Sequence, residues 1–121
     1  ETHRGLTSLR GLLLAADLAV TGAGMTLYEC LAAGTPAVAV LLADNQKPNF
    51  DELTGVGLVL SGQPDLSATV GRLAADAPLR ASMAERGRAA VDGCGAARVA
   101  AELLRAAALV APGSTAARGS R

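Results

Sequence analysis

The fold is decided by one stretch of the sequence, in which a short apolar segment leads through a glycine turn into a helix. The stretch reads Asp17-Leu18-Ala19-Val20-Thr21-Gly22-Ala23-Gly24-Met25-Thr26-Leu27-Tyr28-Glu29. Residues 17–21 predict a buried strand, and a helix is predicted to begin near Met25 or Thr26 and to run to Ala33. Gly34 and Pro36 end that helix, because glycine favours the left-handed C-terminal position and proline cannot continue a helix.

Helices and strands alternate on both sides of this stretch. The run 37–42 is continuously apolar, which is typical of a parallel strand buried on both faces. The predicted elements are a helix over 7–16 capped by Thr7 or Ser8, strands over 17–21, 37–42 and 57–60, a helix ending near Thr54, and helices over 65–76, 78–91 and 95–111. This order predicts an α/β fold, with a Rossmann-like parallel sheet, flanking helices and a helical C-terminal end.

The length of 121 residues fits one domain, predicted over 1–111, followed by a disordered tail over 112–121. A complete doubly wound sheet has about five or six strands, and only three are predicted here. The chain also begins with Glu1 rather than Met. We therefore expect further strands, and a whole N-terminal domain, to be missing from this sequence.

Composition excludes several classes of function. The chain has 11 basic and 11 acidic residues, one Phe, one Tyr and no Trp, so it offers no basic stripe or aromatic platform for nucleic acid. The longest strongly apolar stretch, 36–43, is far shorter than the ~20 residues that a membrane helix needs. No signal peptide is visible, and Cys30 and Cys94 are expected to be free thiols in a cytoplasmic protein, with Cys30 in the core.

The glycine turn is a candidate phosphate site. In open α/β sheets, ligands bind at the carboxyl ends of the strands, where loops lead into helix N-termini. Glycines at 22 and 24 let the backbone approach a ligand closely, and the helix offers free N–H groups and the positive end of its dipole. The Thr26 hydroxyl adds a donor. The alternative is that the glycines only make a tight turn.

The helix after the turn separates its faces clearly. An apolar stripe at helical spacing is expected to pack on the sheet, and it comprises Leu27, Cys30, Leu31 and Gly34. Glu29 points away from that stripe, about one turn from the phosphate site. Its two carboxylate oxygens can accept hydrogen bonds from a ribose diol. Alternatively, Glu29 lies on a solvated face and has no ligand.

A second polar loop, Asp44-Asn45-Gln46, follows the strand at 37–42. It lies beside the glycine turn if the two strands are neighbours, and its amides suit the hydroxyls of a neutral sugar. The alternative is that Asp44 or Asn45 caps the next helix, with Pro48 in the first turn. The sequence contains no metal-binding motif, nucleophile motif or cofactor motif, and its only histidine, His3, lies at the start. Catalytic acid–base groups are therefore expected elsewhere.

Several of these segments resemble one family in the same order. They are the stretch 17–29, Ala33-Gly34-Thr35-Pro36, Ala43-Asp44-Asn45-Gln46 and Asp92-Gly93-Cys94-Gly95-Ala96-Ala97-Arg98-Val99. Together they resemble the C-terminal domain of the GT-B-type UDP-sugar hydrolases of pseudaminic acid biosynthesis and of the spore-coat polysaccharide biosynthesis proteins. The lipid II N-acetylglucosaminyltransferase, of glycosyltransferase family 28, is more distantly similar.

The resemblance implies a role for each candidate residue. The diphosphate would lie on Gly22, Ala23, Gly24, Met25 and Thr26. Glu29 would bind the ribose, and Asn45 and Gln46 would face the sugar. Relatives often have Gly-Gly-Ser where this chain has Ala23-Gly24-Met25, so Met25 removes a hydroxyl.

The implied function is the nucleotide-sugar-binding part of a UDP-sugar hydrolase. A histidine of the absent N-terminal domain would then activate water, and the fragment alone would be inactive. The alternatives are the donor-binding domain of a glycosyltransferase and a non-catalytic binding module from a truncated gene.

Overall fold

A computed structural model of the chain describes residues 2–110. Three short strands form one parallel sheet in the order β1-β2-β3, with helices on both faces, which confirms the predicted Rossmann-like α/β class. The elements are α1 (Arg10–Ala15), β1 (Ala19–Gly22), α2 (Met25–Ala33), β2 (Ala37–Val40), a 3₁₀ turn (Asp44–Gln46), α3 (Lys47–Gly55), β3 (Leu60–Ser61), α4 (Leu66–Ala75), α5 (Ala77–Ala90) and α6 (Gly95–Val110). The predicted tail over 112–121, and the two end residues of the predicted domain, lie outside the described residues.

Apolar side chains form a core on each face of the sheet. Successive residues of β2 point to opposite faces, so Ala37 and Ala39 pack with α2 and α3. Val38 instead packs with Leu73 of α4 and Met83 of α5. These three β2 residues are at most 1% exposed, which confirms that the strand is buried on both faces. The core is built from small aliphatic side chains because the sequence offers almost no aromatic ones.

Helix α2 has the predicted bounds. Gly24 is its N-cap, and Gly34 ends it in the left-handed conformation, with φ of 74° and its N–H directed at the carbonyl oxygens of the last turn. The predicted apolar stripe is confirmed for Leu27, Cys30 and Leu31, which are buried against the sheet. Gly34 is not part of it, because it is the half-buried C-cap of the helix. The helix therefore holds one fixed face inward and leaves the other for solvent or a ligand.

Helix α5 crosses α2 closely at Gly87, which is buried. A Cβ atom added there would lie 3.1 Å from the carbonyl oxygen of Leu31, a distance tighter than ordinary packing. A side chain larger than hydrogen would push the two helices apart. Gly87 therefore sets the position of α5, and it brings the next residue, Arg88, over the end of α2.

The third strand was predicted at 57–60, and this prediction was wrong in its position. Gly57 adopts a positive φ of 68°, and the backbone N–H groups of Leu58 and Val59 both bond to the carbonyl oxygen of Leu53. Those N–H groups belong to the turn that ends α3, so they cannot join the sheet. Pairing with β2 starts at Leu60 and covers two residues.

Other predicted bounds also differ. The first ladder bond of β1 is from the N–H of Ala19 to the carbonyl oxygen of Pro36, so the strand starts two residues after the prediction and includes Gly22. Strand β2 ends at Val40, before the exposed Leu42. Helix α1 starts at Arg10, and its N-cap is Leu9 rather than Thr7 or Ser8. The Ser8 hydroxyl instead accepts a hydrogen bond from the Arg10 N–H at 3.2 Å.

Helix α6 is amphipathic, and four of its large apolar side chains are exposed. These are Val99, Leu103, Leu104 and Leu109. Its first turn is fixed by Asp92, whose carboxylate accepts hydrogen bonds from the Cys94 N–H at 2.9 Å and from Arg98 at 2.7 Å. These contacts lower the pKa of Asp92, the Arg98 hydrogen bond being the larger cause. Within residues 2–110, no helix is long and apolar enough to cross a membrane.

The two free cysteines lie in opposite environments. Cys30 is fully buried in the core, as predicted, and Cys94 is exposed. Burial raises the pKa of the Cys30 thiol, and the negative charge of Glu29 raises it further. Both effects keep the thiol protonated and unreactive, because the thiolate is the nucleophile.

We therefore expect an aromatic disulfide reagent to label one thiol of the folded chain at once and the second only after unfolding. In a Cys94→Ser variant, labelling of the native protein should be slow, and in Cys30→Ala it should stay fast. The release of the coloured thiol against time measures both rates. Rapid labelling of folded Cys94→Ser would contradict the burial of Cys30.

Candidate functional site

The glycine turn and the Asp44–Gln46 turn lie at the same edge of the sheet. Strands β1 and β2 pair in parallel with Gly22 opposite Val40, and the N–H of Ala23 continues the ladder to the Val40 carbonyl oxygen at 3.2 Å. Both strands end there, so the loops that follow β1 and β2 leave the sheet at the same edge. This confirms the predicted condition for one site, that the two strands are neighbours.

The first turn of α2 is open to a ligand. Gly24 has no side chain to cap the helix, and the first N–H groups of a helix have no partner within it. Met25 projects into solvent and Thr26 is half-buried, while Ala23 is fully buried beneath the turn. Backbone N–H groups and the helix dipole together favour a negative charge at this place.

Gln46 lies across the glycine turn. Its side-chain amide is positioned so that a Cβ at Gly22 would be 3.5 Å from Oε1 and a Cβ at Gly24 would be 3.6 Å from Nε2. Both distances are ordinary van der Waals contacts, so the amide lies directly against the turn. Oε1 is buried and has no hydrogen-bond partner among the described residues. A buried acceptor without a donor is costly, so the position suits a group that brings a donor.

The chemistry of Oε1 indicates which kind of ligand group suits it. Oε1 only accepts, and a diphosphate at neutral pH offers acceptors, so the two do not match. A hydroxyl can donate to Oε1 and still accept from another group. Gln46 thus places an amide, which has both an acceptor and a donor, directly beside the place that suits a phosphate.

The capping alternative for the second loop was wrong. The loop folds as a 3₁₀ turn, and the N-cap of α3 is Gln46, whose side chain makes no capping bond. Pro48 lies in the first turn of α3, as predicted. Asp44 and Asn45 are exposed, and the structure brings Gln46, but not Asn45, against the glycine turn.

Glu29 lines a cavity of about 360 Å³ between α1, α2 and α5. Ala32 and Ala33 of α2 form part of its wall, and their small side chains leave the space open. Arg10 and Arg88 line it from the two neighbouring helices. Glu29 is exposed, as predicted, and across residues 2–110 its carboxylate forms no hydrogen bond or ion pair.

Three contacts that shape the site could not be found by sequence reasoning. The Tyr28 hydroxyl donates to Oδ1 of Asn49 at 3.2 Å, which ties α2 to α3 and to the turn that carries Gln46. The Thr35 hydroxyl donates to the Leu13 carbonyl oxygen at 2.7 Å, which holds α1 beside α2. Arg88 reaches the cavity from the far end of the chain. Each pair is distant in sequence, so no local spacing indicates it.

No metal centre is evident in the described part of the chain, where no group of three or more His, Cys, Asp or Glu side chains could hold an ion. The glycine turn offers backbone N–H groups beside the Gln46 amide. The cavity is lined by neither the glycine turn nor Gln46, and its charged groups are the Glu29 carboxylate and the guanidinium groups of Arg10 and Arg88. This set can bind and orient a ligand with phosphate and hydroxyl groups. Its only titratable carboxylate, Glu29, is separated from the glycine turn by about one helical turn.

The fold and the site define a Rossmann-like α/β protein with a glycine turn at the carboxyl edge of its sheet. The chain is similar to the spore coat polysaccharide biosynthesis protein SpsG of Bacillus subtilis (strain 168), with 32% identity over 102 residues. The match covers 78% of this chain and 30% of SpsG, so the chain spans less than a third of that relative's length. This similarity supports the predicted resemblance to spore-coat polysaccharide proteins.

No protein-family model matches the chain, and no solved structure matches it significantly. The resemblance to the pseudaminic acid hydrolases and to the lipid II enzyme stays a prediction.

Proposed function

We propose that this chain is the nucleotide-sugar-binding part of an enzyme of surface polysaccharide biosynthesis, and that the enzyme is a UDP-sugar hydrolase. The observation that carries the proposal is the buried, unpartnered Oε1 of Gln46 beside the open first turn of α2. A phosphate on the turn and a hydroxyl at Gln46 describe a sugar phosphate. The similarity to a spore-coat polysaccharide biosynthesis protein supports a role in surface polysaccharide biosynthesis.

Each part of the nucleotide-sugar has its own place in this proposal. The diphosphate lies over the turn from Gly22 to Thr26, against the N–H groups at the start of α2, where the helix dipole stabilises its charge. The N–H of Ala23 takes no part, because it already donates to the Val40 carbonyl oxygen. The sugar lies over Gln46, with Asn45 at its outer side. The ribose diol donates to Glu29, which is about 6 Å further along the helix axis than Met25. Cavity walls of alanine leave room for the nucleoside.

In the proposed reaction, water attacks the anomeric carbon, and the bond from that carbon to the diphosphate oxygen breaks. The products are the free sugar and UDP. The glycine turn stabilises the charge that develops on the departing diphosphate, which lowers the barrier. The proton of water passes to a base outside this chain, in the part of a longer enzyme that corresponds to the rest of SpsG. This chain thus binds and orients the donor.

The role of Glu29 is tested by comparing UDP with 2′-deoxy-UDP. We expect the parent chain to bind UDP about tenfold more tightly, because a hydrogen bond to a charged acceptor contributes more than one between neutral groups. In Glu29→Ala, UDP affinity should fall by about tenfold and the difference between the two nucleotides should vanish. Isothermal titration calorimetry measures all four affinities.

A matched control is Glu85→Ala, which removes an exposed carboxylate from α5 outside the cavity. It should bind both nucleotides like the parent. If Glu29→Ala kept the full preference for UDP, the ribose assignment would be wrong. If the parent bound neither nucleotide, the nucleotide site itself would be wrong.

A further inference from the structure

The strongest feature outside the predicted site is Arg88 of α5. Its guanidinium group covers Gly34, so a Cβ atom at Gly34 would collide with it. The side chain lines the same cavity as Glu29. Its guanidinium group, like the Glu29 carboxylate, has no hydrogen-bond or ion-pair partner in the described chain. Glu29 and Arg88 therefore face one cavity, which Arg10 also lines, without pairing with each other.

The order of groups along α2 matches the order of groups in a nucleotide. The glycine turn is at the N-terminal end, Glu29 is near the middle, and Arg88 covers the C-terminal end at Gly34. With a rise of about 1.5 Å per residue, Glu29 lies roughly 7.5 Å from each end. A nucleoside diphosphate places its ribose between its phosphates and its base. If the ribose lies at Glu29, the base extends towards Arg88.

Resting on the proposed function, we propose that Arg88 is a further nucleotide-binding residue, whose guanidinium group donates hydrogen bonds to carbonyl oxygens of the base. Glu29 can only accept hydrogen bonds and Arg88 can only donate them. A ribose offers hydroxyl donors, and a base such as uracil offers carbonyl acceptors. Glu29 can therefore bind the ribose while Arg88 binds the base. Gly87 makes this possible, because it lets α5 approach α2 closely enough for Arg88 to reach the cavity.

The competing role for Arg88 is purely structural. A cation at the C-terminal end of a helix interacts favourably with the helix dipole, and Arg88 lies at that end of α2. A structural role affects folding, whereas a contact with the base affects nucleotide affinity. The test therefore measures both, and it uses a second ligand that has no base.

The experiment titrates the full chain with UDP and, separately, with inorganic pyrophosphate. The variants are Arg88→Met, which keeps an unbranched side chain over Gly34, and Arg88→Lys, which keeps the charge. Arg105→Ala is the control, because it removes an exposed guanidinium group from α6, outside the cavity. Circular dichroism and thermal unfolding confirm that each variant is folded.

We expect Arg88→Met to bind UDP about tenfold more weakly than the parent and pyrophosphate equally well. The UDP affinity of Arg88→Lys should lie between those of Arg88→Met and the parent, and the affinity of Arg105→Ala should match that of the parent. If Arg88→Met binds UDP as tightly as the parent does, Arg88 does not contact the base, although the proposed nucleotide site remains supported. An equal loss for UDP and pyrophosphate would also overturn it, because the effect would be general electrostatics. If the parent binds neither UDP nor pyrophosphate, the proposed nucleotide-binding function is itself wrong.

Discussion

Gly24→Asp is expected to abolish UDP binding while the fold stays intact. Gly24 has φ of −96°, which any residue can adopt, and a Cβ there would meet only the Gln46 amide at an ordinary 3.6 Å. Aspartate is a favourable N-cap, so the free energy of unfolding should stay the same or rise by a few tenths of a kcal/mol. Its carboxylate would occupy the N–H groups of the first turn and repel the diphosphate. Two unit charges about 4 Å apart repel by about 4 kcal/mol at a partly exposed site, so affinity should fall at least a hundredfold.

Gly24→Asn is the matched control, because asparagine caps the helix equally well but carries no charge. It should bind UDP more weakly than the parent and at least tenfold more tightly than Gly24→Asp. Calorimetry measures the affinities, and thermal unfolding shows that both variants are folded. If folded Gly24→Asp bound UDP like the parent, the diphosphate could not lie on the first turn of α2.

Leu27→Ala is expected to cause the largest loss of stability. Leu27 is 0% exposed and belongs to the core between α2 and the sheet. Removing a buried leucine side chain loses its transfer free energy and leaves a cavity, so the free energy of unfolding should fall by about 3 kcal/mol. For a small protein this is a substantial part of the total stability. Urea unfolding followed by circular dichroism gives the value.

Leu104→Ala on α6 is the control for that measurement. It makes the same change of side chain at a position that is 73% exposed, so the free energy of unfolding should change by no more than about 0.5 kcal/mol. Equal losses at Leu27 and Leu104 would show that α6 is as well packed as α2, contrary to the structure.

The sequence predicted the parts of the fold that depend on local pattern. The stripe from Leu27 to Leu31 indicated the buried face of α2, and Gly34 indicated its end. The apolar run after Pro36 indicated a strand buried on both faces, and its parallel pairing with the strand before the glycine turn followed from the alternation of elements. These patterns act within a few residues, so they can be recognised without the tertiary structure.

Local pattern failed where backbone hydrogen bonds compete. Residues 57–60 are as apolar as a strand. The N–H groups of Leu58 and Val59, however, donate to the carbonyl oxygen of Leu53 instead of to a neighbouring strand. The prediction that Asp44 or Asn45 caps α3 was also wrong. The helix follows directly from a 3₁₀ turn and has no side-chain cap.

The candidate site was predictable in part. The glycine turn, Glu29 and Gln46 were identified from their positions after strands and within a helix, and the structure brings the glycine turn and Gln46 together. Arg88 was missed because its position depends on how closely α5 crosses α2 at Gly87. Such a contact joins residues far apart in the chain, so residue spacing carries no signal for it.

The most direct test of the central claim, that this chain holds the diphosphate and ribose of a UDP-sugar, is an NMR titration of the ¹⁵N-labelled chain with UDP. We expect saturable shifts of the backbone amides from Gly22 to Thr26 and of the Gln46 side-chain amide, with weaker binding by Glu29→Ala. Absence of any shift at millimolar UDP, with Glu29→Ala indistinguishable from the parent, would contradict it.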